Sequence, residues 1–571
     1  MHRILFIIFI QLTVLLSFGQ NNHDFQPPLK IPMYLSGNFG EIRADHFHSG
    51  IDIKTQGTTG LHVFAIDKGY VSRIKVQANG YGKSIYLVHP NGYTSVFGHL
   101  DRYRDDIAEY VKQIQYQRKS HQVDIYLEPG QFQVNGGDFI AYSGNTGGSF
   151  GPHLHFEMRN TGNQHPINAL KFGFDIKDHI APKFSTLFLD VSPGHGQVNG
   201  TSEKQSFELV RDQGIYTVPW GTRLEAAGDI RLGVEVFDYL DGAPNRCGVY
   251  TLEVYVNDQL TFSQVMDEFS FAESRYVNAH TDYQELITSG KKVHRLYRLP
   301  NDKLRIYGHL VNDGILKVSE GEIYVLLVVA TDVAGNRSEL HFTISGKAGI
   351  LDGADGVMAD GVVMKYNQKN TFETQDVKVE IPADALYEDI GFHFSVSEPG
   401  PGALSGQYVI HDPGTPLHKP FTLSAKAPGV NPELRDKLVF VTYNAEEDKM
   451  VSEGGEYKNG KVEASLMKFG GYQIGLDTIA PEIIPLNGSG SGNQSGKKSL
   501  RFTITDNLSG IDTYEGYIDN RWALFEYDPK NDLLSYEFDG SRVTKGQIHE
   551  LELYISDSQG NLNLLHTSFT W

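Results

Sequence analysis

The pattern of apolar and polar residues between positions 84 and 99 predicts a β-hairpin. Residues 84–89 and 93–99 each alternate in polarity, and the intervening Pro-Asn-Gly is a typical turn sequence. Because alternate residues of a strand project from the same face, His99 shares a face with Tyr93 and Phe97. We therefore expect the imidazole of His99 to point toward an aromatic-lined wall.

The periodicity changes over residues 105–122. Ile107, Val111 and Ile114 recur there at the spacing of one helical face. This spacing predicts a single amphipathic helix inserted into a domain that otherwise consists of strands.

Short alternating strands dominate the rest of the chain and contain an internal repeat. Three motifs that begin with aspartate each occur twice: Asp178–Pro182 with Asp477–Pro481, Asp238–Gly242 with Asp506–Gly510, and Asp332–Asn336 with Asp557–Asn561. The repeat predicts two immunoglobulin-like β-sandwich modules, at residues 179–347 and 477–571. The first is enlarged by an insertion near residues 270–299.

Residues 348–476 are predicted to form another β-rich module between the two sandwiches. The stretch 377–386, Val-Lys-Val-Glu-Ile-Pro-Ala-Asp-Ala-Leu, resembles the ZU5-like fold. With a further domain at residues 20–178, the division agrees with a length of 571 residues, since domains average ~100 to 200 residues. Each module is expected to have its own core and to fold independently.

The N-terminus has the pattern of a secretory signal. Arg3 precedes an apolar run over residues 4–16, and small residues follow at positions 17 and 19. The run is too short to span a bilayer comfortably, so residues 1–19 are predicted to be a cleaved signal peptide. No other long apolar run follows, which predicts a secreted or periplasmic chain without a transmembrane span.

Charge and cysteine content narrow the possible chemistry. The formal net charge of −20 argues against nucleic acid as a partner, because its phosphates require a basic protein surface. Cys247 is the only cysteine, so the chain can form no intrachain disulfide and offers no thiolate cluster to a metal.

Two segments about a hundred residues apart offer metal ligands. They are His48-Ser-Gly-Ile-Asp52 and His153-Leu-His155-Phe-Glu157. An extended strand would separate His48 from Asp52 by about 13 Å, too far for metal–ligand distances of about 2 Å. The chain must bend, and Gly50 is expected to allow this because it tolerates backbone angles closed to other residues.

The second segment suggests an open coordination position. On a strand, His153 and His155 project from the same face, so one can bind a metal while the other reaches the fourth position. Three protein ligands plus water are typical of catalytic zinc, whereas structural zinc sites use four protein ligands. The two segments therefore predict a catalytic Zn²⁺ site.

The motifs together resemble the M23 peptidases, the family of LytM and lysostaphin. The resemblance covers roughly residues 29–170 and rests on the HxGxD motif at 48–52, Phe97-Gly-His99-Leu, and the glycine-rich run 143–157. It implies a LytM-like antiparallel β domain that hydrolyses peptide bonds in bacterial peptidoglycan with one zinc ion. By position, it implies His48, Asp52 and His155 as ligands, with His99 and His153 assisting catalysis.

The resemblance also implies peptidoglycan stem peptides as the substrate and the bacterial cell envelope as the location. The C-terminal modules are candidates for binding a protein partner. Two alternative functions remain. One is a non-catalytic LytM-type activator or binder of wall hydrolases, a class that typically lacks metal ligands, and the other is an adhesion protein that uses its sandwich modules.

Several further residues have two interpretations. Glu157 either orients a ligand imidazole or makes a structural bond. The repeated acidic motifs either bind calcium or are simple turn formers. His46 is expected to be a neighbour of the site and His89 to be solvated or bonded to a turn, with His62, His121 and His165 at the surface.

Overall fold

The computed structural model describes residues 24–349 and 361–571, so the predicted signal peptide lies outside the described residues. The chain is mainly β, and Asp105–Arg118 is the longest helix in these ranges. None of the described helices combines the length and apolar composition that a membrane span requires.

A nine-stranded antiparallel sheet forms the first part of the chain. Its main path runs, in spatial order, through Leu35–Gly37, Ile51–Lys54, His153–Asn160, Tyr93–Leu100, Lys83–Val88, Gly69–Val76 and Val123–Tyr126, with Gln133–Val134 and Pro166–Ile167 attached at its sides. A three-stranded sheet of His62–Phe64, Phe139–Tyr142 and Arg102–Tyr103 accompanies it. The predicted antiparallel β domain is therefore confirmed.

The predicted hairpin and inserted helix are both present in this domain. The hairpin strands are Lys83–Val88 and Tyr93–Leu100, which pair antiparallel. The helix Asp105–Arg118 buries Ile107 and Val111 against the domain core, as its apolar spacing predicts.

The second part of the chain forms one connected twelve-stranded sheet around a single core. Its strands are Lys183–Val198, Gln205–Glu208, Val210–Asp212, Ile215–Thr217, Glu225–Phe237, Thr251–Val256, Gln259–Val265, Val293–Arg295, Tyr307–Leu310, Leu316–Val318, Ile323–Thr331 and Arg337–Gly346. The insertion near residues 270–299 contains the helical segments Ser274–Tyr276, Val277–His280 and Tyr283–Ser289.

The third part forms one two-stranded and two five-stranded sheets that enclose one core. Its strands are Val362–Met364, Asn370–Glu373, Val377–Ile381, Ile390–Phe392, Phe394–Ser397, Gln407–Ile410, Phe421–Lys426, Leu438–Asn444, Lys449–Gly454, Glu456–Lys458, Lys461–Leu466 and Gly470–Leu476.

The last part has a four-stranded and a five-stranded sheet, and both contribute apolar residues to one core, as in a sandwich. The strands are Glu482–Pro485, Gly492–Asn493, Ser499–Thr505, Ile511–Ile518, Arg521–Ala523, Glu526–Asp528, Leu533–Glu537, Ile548–Asp557 and Leu562–Thr570.

The first and second parts share a hydrophobic core. Phe39 and Phe47, from the first part, pack with Phe269 at ring-centroid distances of 5.0 and 5.7 Å. Asn38 exchanges two hydrogen bonds with the backbone of Gly248, at 2.7 and 2.8 Å. The first two parts therefore have a shared cluster in addition to their own cores, and a cut between them would expose large buried aromatic rings.

The last part also contacts the first part. Lys83 forms a 3.0 Å ion pair with Glu526, and Lys112 on the inserted helix forms a 2.5 Å ion pair with Asp539. His121, which the sequence predicts at the surface, is 7% exposed, and its Nδ1 lies 3.0 Å from the hydroxyl of Tyr514. That prediction is wrong because the last module covers the end of the helix.

Candidate metal centre

Strand register brings the two ligand-bearing segments together. Asp52 and His155 are directly opposite each other on adjacent antiparallel strands, and His155 is opposite Gly98 on its other side. His48 lies just before the first of these strands, and His99 follows Gly98. Pairing of three adjacent strands therefore brings together His48, Asp52, His99 and His155. The fifth predicted site residue, His153, lies two residues before His155 on the same strand.

Three donor atoms converge at one point. Nε2 of His48 and Nδ1 of His155 are 3.1 Å apart, and both approach Oδ1 of Asp52, at 3.1 and 3.0 Å respectively. All three residues are buried, with exposed fractions of 6%, 3% and 8%. Two imidazole nitrogens and a carboxylate oxygen in such close approach can all offer lone pairs to a shared cation once His155 is deprotonated, so the donor set fits a metal ion.

In each candidate ligand, the polar atom that points away from the other two ligands is hydrogen-bonded to another group. Nδ1 of His48 donates to the carbonyl oxygen of Asn38 at 2.7 Å, which leaves Nε2 as the lone-pair nitrogen. Arg43 donates to Oδ2 of Asp52 at 3.1 Å, so Oδ1 is the carboxylate oxygen that faces the histidines. Such outer partners fix the orientation of metal ligands.

Glu157 holds the third candidate ligand. Its Oε1 lies 2.8 Å from Nε2 of His155 and also accepts from the hydroxyls of Ser49 and Tyr81. Its Oε2 accepts from Nε of Arg159 at 2.5 Å. The side chain is completely buried and fully bonded, so of the two interpretations of Glu157 the structure favours the one in which it orients an imidazole.

Electrostatics in this cluster favour charged carboxylates. Burial alone would raise the pKa of Asp52, but the charge of His48 and hydrogen bonds from the histidines hold that pKa well below its usual value. Burial opposes protonation of His155, yet hydrogen bonds with Asp52 and Glu157 raise the pKa of its imidazole to about 9. A metal that binds here must therefore displace a proton from His155.

His153 and His99 lie beside the donor set with the same tautomer. Nδ1 of His153 lies 2.8 Å from the carbonyl oxygen of Gly151, and Nδ1 of His99 lies 2.8 Å from that of Thr146. Because a carbonyl oxygen can only accept, Nδ1 carries the proton in both rings and Nε2 is the basic nitrogen. The two ring centroids are 4.8 Å apart, and Nε2 of His153 is 3.4 Å from Oδ1 of Asp52.

His99 has an unusual backbone conformation and a weakly basic ring. Its φ of +56° lies in the left-handed region, which is uncommon for a residue other than glycine and often marks a functional site. Burial, together with the neighbouring imidazoles of His155 and His153, lowers the pKa of His99 to about 3. Its imidazole is therefore neutral at neutral pH.

Gly50 is required for a different reason from the one that the sequence suggests. Its φ does not lie in the left-handed region. A Cβ at this position would lie 2.4 Å from the carbonyl oxygen of Phe156 and 2.8 Å from Cγ of Glu157. The bend between His48 and Asp52 therefore needs glycine for close packing against the strand that carries His155.

The glycine-rich loop makes a similar close approach within the protein. A Cβ on Gly147 would lie 2.3 Å from the backbone nitrogen of Gly82, and the φ of Gly147 is +71°. This packing places residues 148–151 along the edge of the cleft above the donor set.

The cleft has a volume of roughly 1190 Å³, and the second module forms part of its wall. Phe271, Ser274 and Arg275 line it opposite the glycine-rich loop. Ser274 accepts a 2.9 Å hydrogen bond from the backbone of Phe47, next to His48. Sequence reasoning missed this wall, because no local pattern links the insertion to motifs more than two hundred residues away.

The other histidines have varied environments. His46 is exposed and lines the cleft, as expected for a neighbour of the site. His62 is exposed, and His165 is partly exposed. His89 is 2% exposed, and its ring bonds to the carbonyl of Lys68 and to Ser95, so it is bonded but not solvated.

Glu157→Gln should weaken metal binding by about 10- to 100-fold, the usual effect of losing an outer carboxylate partner. The neutral amide keeps the size of the side chain but no longer stabilises the proton on Nε2 of His155. Competition of the chain with a fluorescent chelator would measure the affinity, with the exposed Glu128→Gln as a matched control. Unchanged affinity in a folded Glu157→Gln protein would show that Glu157 is only structural.

Comparison with known families agrees with this geometry. The model of peptidase family M23 matches residues 46–116 and 116–169, and the model of the Zu5-like domain matches residues 361–477. The first segment is thus an M23 peptidase domain, as its motifs predict, and the β-rich third part includes the segment that resembles the ZU5-like fold.

The chain is similar to curated proteins over about a fifth of its length. An uncharacterized metalloprotease of Haemophilus influenzae is 33% identical over 123 residues, which is 22% of this chain and 20% of the relative. The DD-carboxypeptidase/endopeptidase Mpg of Neisseria meningitidis serogroup B is 31% identical over 124 residues, 22% of each protein. The chain therefore spans about one fifth of the length of the curated relatives it matches.

Solved structures with a similar segment include two catalytic domains. That of the prophage-encoded M23 protein EnpA from Enterococcus faecalis is 23% identical and covers 26% of this chain and 98% of its own, with a TM-score of 0.20. That of lysostaphin from Staphylococcus simulans is 22% identical and covers 24% of this chain and 91% of its own, with a TM-score of 0.19.

Proposed function

We propose that the M23 domain of this chain is a zinc-dependent endopeptidase that hydrolyses peptide bonds in peptidoglycan cross-links. The observation that carries the proposal is the convergence of His48, Asp52 and His155 at the floor of an open cleft. Each has its second polar atom held by another group, as expected of preorganised metal ligands.

The donor set suits zinc in particular. Two imidazole nitrogens and one carboxylate oxygen are ligands that Zn²⁺ accepts, and three protein ligands leave a position open for catalysis. A zinc ion bound there would supply Lewis acidity for a scissile carbonyl and lower the pKa of water.

His153 and His99 are proposed to handle the proton. Both leave Nε2 unprotonated because backbone carbonyls hold Nδ1–H, and of the two rings that of His99 is made weakly basic by burial. In this role they accept the proton of the attacking water and return one to the leaving amine. Their short separation lets both rings contact the same reacting group.

The M23 class acts on the cell wall, so we also propose that the chain acts in the bacterial envelope after secretion. The predicted signal peptide supports this location. The specific bond within the stem peptides depends on the cleft walls, one of which comes from the second module.

The two alternative functions have less support. Non-catalytic LytM-type activators typically lack metal ligands, whereas all three candidate donors are present here and in contact. Adhesion through the sandwich modules does not account for the site. Incubation of purified sacculi, free of other hydrolases, with the full zinc-loaded chain separates these functions: an endopeptidase releases soluble fragments, whereas an activator or adhesin releases none.

Arg275→Ala should raise KM for soluble cross-linked muropeptides about tenfold, with a smaller change in kcat. Arg275 lines the cleft, where its guanidinium also approaches Asp45 at 3.7 Å. We propose that it binds a peptide carboxylate in ground and transition states alike, and loss of about 1.4 kcal/mol of such uniform binding is a tenfold change. Steady-state kinetics would measure it, with Arg298→Ala, a partly exposed arginine outside the cleft lining, as control. An unchanged KM would exclude a substrate contact at Arg275.

A further inference from the structure

The repeated aspartate motifs converge in space in both sandwich-like modules. The first acidic cluster consists of Asp178, Asp238 and Asp332, and the second acidic cluster consists of Asp477, Asp506 and Asp557. In each cluster one oxygen from every carboxylate lies within 4.8 Å of the other two. The members of the two clusters occupy equivalent places in the repeat.

The hydrogen bonds between the third aspartate and an asparagine four residues later recur in both clusters. Asp332 accepts from the backbone and side-chain amides of Asn336, both at 2.8 Å. Asp557 accepts from the corresponding groups of Asn561, at 2.8 and 2.6 Å. In each case the asparagine side chain also donates to the carbonyl of the first aspartate. Turn formation therefore accounts for Asp332 and Asp557.

Turn formation does not account for Oδ1 of the middle aspartate, although Oδ2 of Asp506 accepts turn hydrogen bonds from the backbones of Leu508 and Gly510. Asp238 is 2% exposed, and no hydrogen-bond donor among the described residues reaches its buried Oδ1. Oδ1 of Asp506, its equivalent, is also buried and unpartnered within the described ranges. Buried carboxylate oxygens normally have a partner, so the repetition of one unpartnered oxygen at the same place points to a missing cation.

The charge around the first acidic cluster is consistent with this interpretation. Burial raises the pKa of Asp238 to about 8, and the carboxylates of Asp178 and Asp332 contribute to the increase. Three carboxylates so close together repel one another unless a cation lies between them.

We propose that each acidic cluster binds one Ca²⁺ ion, giving two calcium ions per chain. The clusters offer only oxygen donors, which hard cations prefer, and they contain no imidazole or thiolate to select zinc. Ca²⁺ accepts several carboxylates together with waters and backbone carbonyls, whereas Mg²⁺ is usually held by only one or two carboxylates. Ser509 adds a buried, unpartnered hydroxyl beside the second cluster.

The position of each cluster gives calcium a structural role. Asp178 lies just before the first strand of the second part, and Asp477 lies between the last strand of the third part and the first of the fourth. Asp238 pairs through its backbone with Cys247, which packs in the core of the peptidase domain. A bound ion would therefore fix the chain where it enters each sandwich-like module.

Calorimetric titration of the full zinc-loaded chain with CaCl₂ tests the proposal. We expect two sites with dissociation constants of about 10⁻⁴ to 10⁻³ M, as in extracellular calcium modules. Asp238→Asn and Asp506→Asn should each remove one site, and the double variant should remove both. Asp241→Asn and Asp512→Asn, outside the clusters, should keep two, as should His155→Ala. Absence of saturable binding, or two sites in the double variant, would overturn the proposal.

Thermal unfolding gives a second test of calcium binding. It compares the effect of added Ca²⁺ on the Tm of each protein, so it does not require the variants to be less stable than the wild type. In calcium-depleted buffer without a chelator, each asparagine variant should have a Tm at least equal to that of the wild type, because asparagine cannot carry a charge beside the other two carboxylates. Added Ca²⁺ should raise the Tm of the wild type but not of the double variant. An equal rise in the double variant would contradict cation binding at the clusters, and an equal rise with Mg²⁺ would contradict the choice of calcium.

Discussion

Replacing His155 with alanine should remove both the proposed zinc ion and the proposed hydrolytic activity. The same result is expected for His48→Ala and Asp52→Ala, because their donor atoms lie within 3.1 Å of one another and each supplies one of three proposed ligands. Loss of metal catalysis costs several kcal/mol of transition-state stabilisation, so turnover should fall by about 10³-fold or more.

Elemental analysis beside a muropeptide turnover assay would measure both effects. Zinc content should fall from about one ion per chain to near zero, on the expectation of one catalytic site. His46→Ala is the matched control, since this histidine lines the same cleft but lies outside the donor set. Full zinc content in folded His155→Ala would contradict the ligand assignment.

Replacing His153 or His99 should instead leave zinc in place and slow the reaction. General acid–base groups contribute about 10² to 10⁴ in rate, so kcat should fall by that range in each variant. His153→Ala is suitable for the first position. His99→Asn is preferable at the second, because asparagine tolerates the left-handed backbone conformation of that residue and alanine does not.

The double variant should be little slower than the worse single variant, since groups that act as a unit are not additive. His62→Ala, an exposed histidine in the same domain, should retain full activity. Zinc analysis and kcat on the same preparations would test this pair of residues. Loss of zinc in His153→Ala would mean that this residue, rather than one of the proposed three, binds the metal.

Much of the candidate site follows from the sequence because its pattern is local. HxGxD and the two histidines of the second segment define their strands, and the alternation of strand residues defines which side chains share a face. The structure agrees, with Asp52 opposite His155 in the sheet. The hairpin that carries His99 is equally local, but alternation places His99 on the wrong face. Phe97 packs against Phe156 in the core, whereas His99, with its left-handed φ of +56°, contacts His153 on the face of the donor set.

The reason for Gly50 could not be predicted from its own segment. The glycine is needed because the strand that carries Phe156, about a hundred residues later, passes within contact distance. The same limit applies to Glu157, whose partners Ser49 and Tyr81 lie 108 and 76 residues away in the sequence. Their convergence depends on strand register, which no single segment encodes.

The cleft wall formed by Phe271 and Arg275 was beyond sequence reasoning for a further reason. These residues lie in an insertion of the second module, and their position depends on a core shared by two modules. His121 illustrates the same effect, since the module that buries it begins more than three hundred residues later. Contacts between modules produce no periodic pattern of apolar residues in the sequence of either module.

The most direct test of the central claim is mass spectrometry of defined, cross-linked muropeptide dimers after incubation with the full chain. Zinc-loaded protein should convert the dimers to fragments that gain one water and lose one peptide bond, and the chelated protein should do so only after zinc is restored. Intact dimers with folded, zinc-loaded protein, or equal cleavage by protein shown to be free of metal, would contradict a zinc-dependent peptidoglycan endopeptidase.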